Sequence, residues 1–310
     1  MKNEFISSIY FGKNLTLFAV IERTDDAFVL HYLNSLNSTI DINQLESPNT
    51  RNGINELTTV VKKFSNKIKK CFVTLTIEDV IITKIPGNIE PQSAEFVDLI
   101  NLEIRQNFPT KNITNYRIKS MQILANDSNN SMFLTIMIEQ ELIQSVDKII
   151  SMIGLEVTDV STSQISAINT LSYNYPDVKM TNIIVNVYEE MLEYLIMQDK
   201  KLLGYESVFV SKDKNIFKTN ENKITNILKE LKINQIENIY YFGTNLTKEN
   251  YTVYWEVGMQ LGGDTKRLNP FRMFKNNLEK RDIEYCARTF HIYPPCIGGV
   301  LPTQIPIFVK

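Results

Sequence analysis

Phe5-Ile6-Ser7-Ser8-Ile9-Tyr10-Phe11-Gly12 and, about 176 positions later, Ile183-Ile184-Val185-Asn186-Val187-Tyr188 are the two stretches that decide how this sequence folds. Each is a short apolar run, and each is followed by two more runs rich in β-branched and aromatic residues, the composition that suits a pleated, half-buried surface. In the first half the runs cover 5–11, 15–23 and 28–36; in the second they cover 183–187, 192–197 and 202–210, with Asp199, Lys200 and Lys201 as a polar turn. An amphipathic helix follows in each half. Ile54, Leu57, Val61, Phe64 and Ile68 keep the spacing of one helical face, and Ile224, Ile227, Leu228 and Leu231 do the same in the second half. Further strands at 71–77 and 238–242 close the two sets. The order strand-strand-strand-helix-strand, written twice, predicts a duplicated α/β fold with two lobes facing a central cleft.

The chain has 310 residues, 43% hydrophobic and 22% charged, an ordinary globular composition that excludes wholesale disorder. Lys and Arg total 33 against 35 Asp and Glu, so no global field exists to hold nucleic acid or anionic lipid. The densest basic group, Lys62, Lys63, Lys67, Lys69 and Lys70, reads as the solvated face of the 54–68 helix. Cys71, Cys286 and Cys296 are widely spaced and odd in number, which points to a reducing compartment and away from a disulfide framework. His31 and His291 lack Cys or acidic neighbours at ligand spacing, so no metal site is expected. Glu4, Ser7 and Ser8 interrupt the opening apolar residues, against a secretory signal. The apolar runs fall short of the ~18 to 20 residues that a bilayer core requires. A cytoplasmic protein is expected, with docking on a membrane complex left open.

Between the halves lies a segment of different character that begins at Ile85-Pro86-Gly87. A helix is expected over about 91–107, with Pro91 at its first position and Phe96, Leu99, Ile100 and Ile104 as its apolar stripe. Glu103 falls within that stripe, where a carboxylate needs a partner or an open groove. The helix stops at Phe108-Pro109; strands are expected over 116–124 and 132–138, with a turn at 126–130. A helix carrying Leu142, Val146, Ile149, Ile150 and Ile153 follows and ends at Gly154, before a strand at 155–160 and a helix at 161–171. This order predicts an added α+β subdomain at about 86–155 inside a first lobe of 1–175, with a second lobe over 176–310.

Ile85-Pro86, then Leu102-Glu103 leading to Phe108-Pro109, then Gly154-Leu155-Glu156, together resemble the PilM family of type IV pilus assembly proteins. Leu268-Asn269-Pro270-Phe271 matches that family's Asn-Pro-Phe signature, and the 296–301 stretch from Cys296 to Leu301 resembles its glycine-containing closing helix. The likeness spans roughly residues 3 to 302. It implies the actin-like (ASKHA) fold with a subdomain inserted in the first half. The cytoplasmic domain of the type II secretion L protein is the nearest rival within the same fold, and it normally continues into a membrane span.

Actin-like ATPases hold Mg·ATP with glycine-bearing turns, because backbone approaches a phosphate only where no side chain blocks it, and with acidic residues that organise the metal. Against the family pattern of Asp-x-Gly with a Lys five residues on, this chain has Tyr10, Gly12 and Leu17. The second turn's Asp and Gly fall on Asn186 and Tyr188, and Glu189 and Glu190 add charge that would repel a triphosphate. At the adenosine turn, Phe242-Gly243-Thr244-Asn245 replaces a run of glycines, and the Phe242 ring would fill purine space. Gly12 and Gly243 read as ordinary turn glycines. No nucleophile, P-loop or zinc-protease motif is present, and Gly262-Gly263-Asp264 reads as a loop after a 251–261 helix.

A fold kept while its ligands are lost predicts a non-catalytic scaffold with no cofactor. By the resemblance, the partner is the cytoplasmic N-terminal peptide of a PilN-like inner-membrane protein, so that membrane association is indirect, with Glu103, Phe108 and Pro109 as candidate groove residues. The alternatives are a working ATPase that binds ATP and Mg²⁺ through backbone geometry, and a protein with a small molecule in its cleft. The four prolines Pro294, Pro295, Pro302 and Pro306 predict an extended tail after Leu301, either adding to a neighbour's sheet edge or left as a loose end.

Overall fold

The computed structural model describes residues 3–87, 93–123, 132–210, 215–303 and the backbone of 307–309. Pro91, the 126–130 turn and Pro306 lie outside the described residues. In chain order the elements begin with strands β1 (Glu4–Gly12), β2 (Leu15–Arg23) and β3 (Phe28–Ser35), helix α1 (Pro48–Lys63), and strands β4 (Lys70–Leu75) and β5 (Ile81–Pro86). Helix α2 (Ala94–Asn107), strands β6 (Tyr116–Ile123) and β7 (Met132–Glu139), helix α3 (Gln140–Met152), strand β8 (Glu156–Thr162) and helix α4 (Ser163–Asn174) follow. The second set is β9 (Asn182–Val187), β10 (Met191–Gln198), β11 (Lys201–Phe209), α5 (Ile216–Glu230), β12 (Asn238–Phe242), α6 (Lys248–Leu261) and β13 (Asp264–Arg267). The chain closes with β14 (Lys275–Asn276), α7 (Lys280–Thr289), α8 (Pro294–Gly298) and β15 (Ile307–Val309).

The duplication holds in topology for five strands of each sheet, with β14 an added edge on the first. One sheet runs β14-β3-β2-β1-β4-β8 and another β11-β10-β9-β12-β13, so both place a three-strand antiparallel meander beside two parallel strands. The fifth strand of the second set, β13, occupies part of the stretch expected to be a loop; it pairs with β12 from Asn238↔Asp264 to Tyr241↔Arg267. The β10–β11 turn is the polar one expected, with Asp199 at φ 48° and Lys200 at φ 62°. Positive φ at both central positions gives a hairpin the twist its strands need.

Local chemistry sets the helix ends. Ser47 caps α1 by accepting from the Thr50 amide, and Pro48 occupies the first turn, where its missing N–H costs nothing. Ser93, Asn215 and Thr247 cap α2, α5 and α6 in the same way. Gly262, at φ +73°, ends α6. Helix α1 stops at Lys63, shorter than expected, so Ile68 is buried from the following loop, not from the helix.

The chain divides into two compact units that are interleaved along the sequence. The first comprises 1–80, 138–176 and 269–303; the second comprises 81–137, 177–268 and 304–310. This differs from consecutive lobes split at 175/176, because 81–137 groups with the second unit and the 269–303 segment returns to the first. Asn269 explains the return: its amide donates to the Tyr175 hydroxyl at 3.0 Å, and its side chain accepts from the Phe271 amide at 2.9 Å, closing an Asx turn. The subdomain is also narrower than 86–155. Its sheet, β15-β6-β7-β5, packs α2 through Phe96, Ile100 and Ile104, whereas β8 pairs with β4 in the first unit and α3 packs on β8. The tail adds its strand not to a neighbour but to its own chain, antiparallel to β6.

In the first unit, α8 is wholly buried. Ser8 Oγ donates to the Cys296 carbonyl, Asn169 Nδ2 to Gly298 O at 3.1 Å and Thr170 Oγ1 to Pro294 O at 3.2 Å. A Cβ on Gly298 would stand 1.9 Å from Ser166 O, so only glycine permits this approach to α4.

Candidate functional site

In the first unit, the β1–β2 hairpin sets Tyr10 directly opposite Leu17. Both side chains are buried in one core cluster with Ala19, Ile21 and residues of α8. Positions that carry opposite charges in the resembled pattern are here an apolar contact inside the protein. Gly12 is fixed by packing as well: a Cβ would meet the Tyr10 ring at 2.8 Å and Leu15 O at 3.0 Å.

Beside Gly12 lies a recess of about 250 Å³ lined by Phe11, Lys13, Ile40, Asn43, Thr76 and Asp79, among others. It opens at the C-terminal ends of the parallel strands β1 and β4, the end at which α/β sheets receive ligands. Lys13 Nζ is 3.2 Å from Glu78, and Asn43 Nδ2 donates to Asp79 Oδ1 at 3.2 Å. Burial pushes the Asp79 carboxyl up to about 6; the Asn43 bond opposes this, and the charges of Glu78 and Asp41 add to it. One ammonium against three carboxylates favours cations over a polyphosphate. Among the described residues, no group of three or more His, Cys, Asp or Glu is arranged to hold a metal ion.

In the second unit, Asn186 stands opposite Glu193 across β9 and β10, and its Nδ2 donates to Glu193 Oε2 at 3.2 Å. Tyr205 donates its hydroxyl to Glu193 Oε1 at 2.7 Å. Burial, then the charge of Glu193, raises the Tyr205 phenol well above its ordinary value, so it stays a neutral donor. Glu193 is 1% exposed. The sequence reading missed it, attending instead to Glu189 and Glu190, which are exposed at the hairpin tip. Tyr188 is half-buried, its amide bonding Met191 O at 2.9 Å to close that hairpin.

Phe242 is completely buried at the end of β12. Gly243 follows at φ +126°, and a Cβ there would lie 2.4 Å from Val187 O and 2.9 Å from Asn186 Oδ1. The Asn245 amide also bonds Val187 O, at 3.3 Å, and Asn245 Nδ2 bonds Tyr188 O at 3.3 Å. The turn is thus stitched onto the end of β9. Glycine is required there to meet protein backbone.

Glu103 is half exposed in the last turn of α2, outside the buried set of Phe96, Ile100 and Ile104. It is not an orphan in an apolar stripe: Asn107, one turn on, donates to both its carbonyl and its carboxylate. Phe108 packs partly buried against the subdomain core, Pro109 is exposed, and Leu102 beside them is 53% exposed. Burial pushes Cys71 up to about 12 and Cys286 to about 11 and raises Cys296 further, so none of these thiols is poised as a nucleophile. Among the described residues, no helix is long and apolar enough to cross a membrane.

No protein-family model matches the sequence, and no curated protein matches it. Solved structures do. A chain of the PilM-PilN type IV pilus biogenesis complex superposes with a TM-score of 0.69 at 11% identity, over 96% of this chain and 99% of that one. A Bacteroides thetaiotaomicron protein with an actin-like ATPase fold and unknown function gives 0.52 at 13% identity, over 91% and 96%. The cytoplasmic domain of EpsL, an inner membrane component of the Vibrio cholerae type II secretion system, gives 0.45 at 6% identity, over 78% and 83%. The fold of this chain is the actin-like fold, with the PilM-like inserted subdomain.

Proposed function

We propose that this protein is a non-catalytic scaffold of a type IV pilus or related secretion assembly, peripheral on the cytoplasmic side of the inner membrane. Its partner in this reading is a PilN-like inner-membrane protein, bound through its cytoplasmic N-terminal peptide. The observation that carries the reading is the end-to-end likeness to a chain of the PilM-PilN complex, which spans the inserted subdomain as well as the duplicated core. The absence of catalysis is supported by the residues at the nucleotide positions. Tyr10 and Leu17 are core, Asn186 is engaged by Glu193, and the space beyond Gly243 is occupied by Val187. A working ATPase is the second reading: the recess beside Gly12 stands at the strand ends where an α/β sheet receives a ligand, but its carboxylates oppose a polyphosphate.

The end of α2, with Glu103, Phe108 and Pro109, is the candidate wall for the peptide. Titrating the cytoplasmic N-terminal peptide of a PilN-like inner-membrane protein tests the assignment. Glu103→Gln is expected to weaken binding about tenfold, the worth of one charge-assisted hydrogen bond, and to leave the melting temperature in place. Wild-type peptide affinity in Glu103→Gln, together with unfolding of Phe108→Ala, would make this helix end core packing and put the partner elsewhere.

A further inference from the structure

The five lysines do not form the polar face of a helix. Only Lys62 and Lys63 belong to α1; the chain leaves the helix at Phe64, and Lys67 and Lys69 lie in the loop that leads to Lys70, the first residue of β4. All five are exposed, and no acidic residue occurs between positions 57 and 77. Lys70 pairs with Glu4 at 2.7 Å, and the Lys67 ammonium sits 4.8 Å over the Phe5 ring. Lys62, Lys63 and Lys69 have no ion pair among the described residues. Arg23, opposite Glu4 across the first hairpin, is exposed at the same end.

An apolar side chain joins this end. The turn from α3 into β8 is fastened to the lysine loop, since the Glu156 amide donates to Lys69 O at 2.8 Å. Met152, the last residue of α3, is 57% exposed just before that turn. Glu4, Glu156 and, in the turn after Arg23, the exposed Asp25 and Asp26 are the acidic neighbours, and Glu4 is already engaged by Lys70.

We infer that this end of the first unit is a docking surface for a bilayer containing anionic phospholipid. Clusters of four to eight basic side chains are drawn to the negative potential of such a surface, which acts within about 10 Å. Lysine serves this well, as a point charge on a long stem that reaches into a diffuse headgroup layer. An exposed methionine beside the charges supplies a group for the headgroup–acyl boundary. Nucleic acid is the lesser fit: five of the six cations are lysines and not the forked arginines that grip phosphate, and Phe64 packs against Tyr32 instead of offering a free ring to a base. The recess beside Gly12 lies at the opposite end of β1 and β4, roughly 20 Å away along a six-residue strand. A membrane at the lysine end therefore leaves the recess facing away from it.

The inference is independent of the pilus reading, because it is tested with purified protein and lipid alone. The protein is sedimented with vesicles of phosphatidylcholine, and with vesicles in which about a third of the lipid is phosphatidylglycerol. Binding to the anionic vesicles only, lost at high salt, is expected. The triple variant Lys62→Glu, Lys63→Glu, Lys69→Glu should bind about tenfold more weakly or worse, and the corresponding triple glutamine variant, which keeps the fold if the first does not, should fall between. Met152→Ala should weaken vesicle binding about twofold or more at unchanged charge. Wild-type vesicle affinity in a folded triple variant overturns the proposal. So does equally tight, salt-sensitive binding to a DNA duplex with Met152→Ala unchanged on vesicles, which would mark the patch as a nucleic-acid surface.

Discussion

Asn186 and Glu193 face each other across adjacent strands, and the asparagine amide donates to the buried carboxylate at 3.2 Å. Where the resembled pattern has an acidic residue on β9, this chain has a neutral donor on β9 and the acid on β10. The two choices depend on each other. Asn186→Asp would set two carboxylates opposite one another in the protein interior, at a cost of about 3 kcal/mol, recovered in part at acid pH as one takes up a proton. Melting curves at neutral and mildly acid pH measure this, and an unchanged neutral melting temperature would refute it.

Two glycines with positive φ should respond differently to alanine. Gly243→Ala drives a methyl to 2.4 Å from Val187 O and is expected to cost about 2 to 4 kcal/mol. Gly262→Ala meets nothing within 4 Å and bears only the backbone cost, about 1 kcal/mol. Denaturant midpoints compare them directly; equal losses would contradict the stitched turn.

Mg·ATP should leave the melting temperature unchanged. At a ligand concentration ~100 times the dissociation constant, linkage would contribute about 2.7 kcal/mol, a rise that a thermal scan detects. A clear rise near ~1 mM nucleotide would favour the ATPase reading.

Asp79 gives a pH signature. A carboxyl raised on folding contributes stability that is complete below its unfolded value and is lost as pH climbs through about 6. Asp79→Asn removes the burial cost of the charge, so it should stabilise the protein by about 1 kcal/mol near pH 7.5, after allowance for solvent screening, and by nothing near pH 4. A constant difference across that range would show that the carboxyl titrates as if in water.

Much of the fold is legible in the sequence because its signals are local. Leu57 and Ile224 are buried where the helical period puts them, and Gly154 and Gly262 end their helices at left-handed φ. Strand β13 is not legible: Asp264, Thr265, Lys266 and Arg267 carry no apolar alternation, and only pairing with β12 makes them a strand. The same limit hides Glu193. In Met191-Leu192-Glu193-Tyr194 it has the look of a solvent-side residue, and its partners Asn186 and Tyr205 lie on neighbouring strands. The lysine loop is misread for another reason. The apolar period continues to Ile68 after the backbone has left the helix, because burial is shared by helix and loop.

Ser8, on the first strand, bonds Cys296, a separation of 288 residues, and α8 fills the core beneath β1. During synthesis the opening sheet therefore emerges from the ribosome with that core unfilled and must wait for nearly the whole chain before it can close. At ~5 to 20 residues per second, this leaves its apolar face uncovered for some tens of seconds. The second unit draws most of its residues from one continuous stretch, 177–268, and its apolar core can close before α8 is made, leaving only the edge strand β15 to be added. The core begun first is the core sealed last, which makes it the natural client of a chaperone that shields nascent chains.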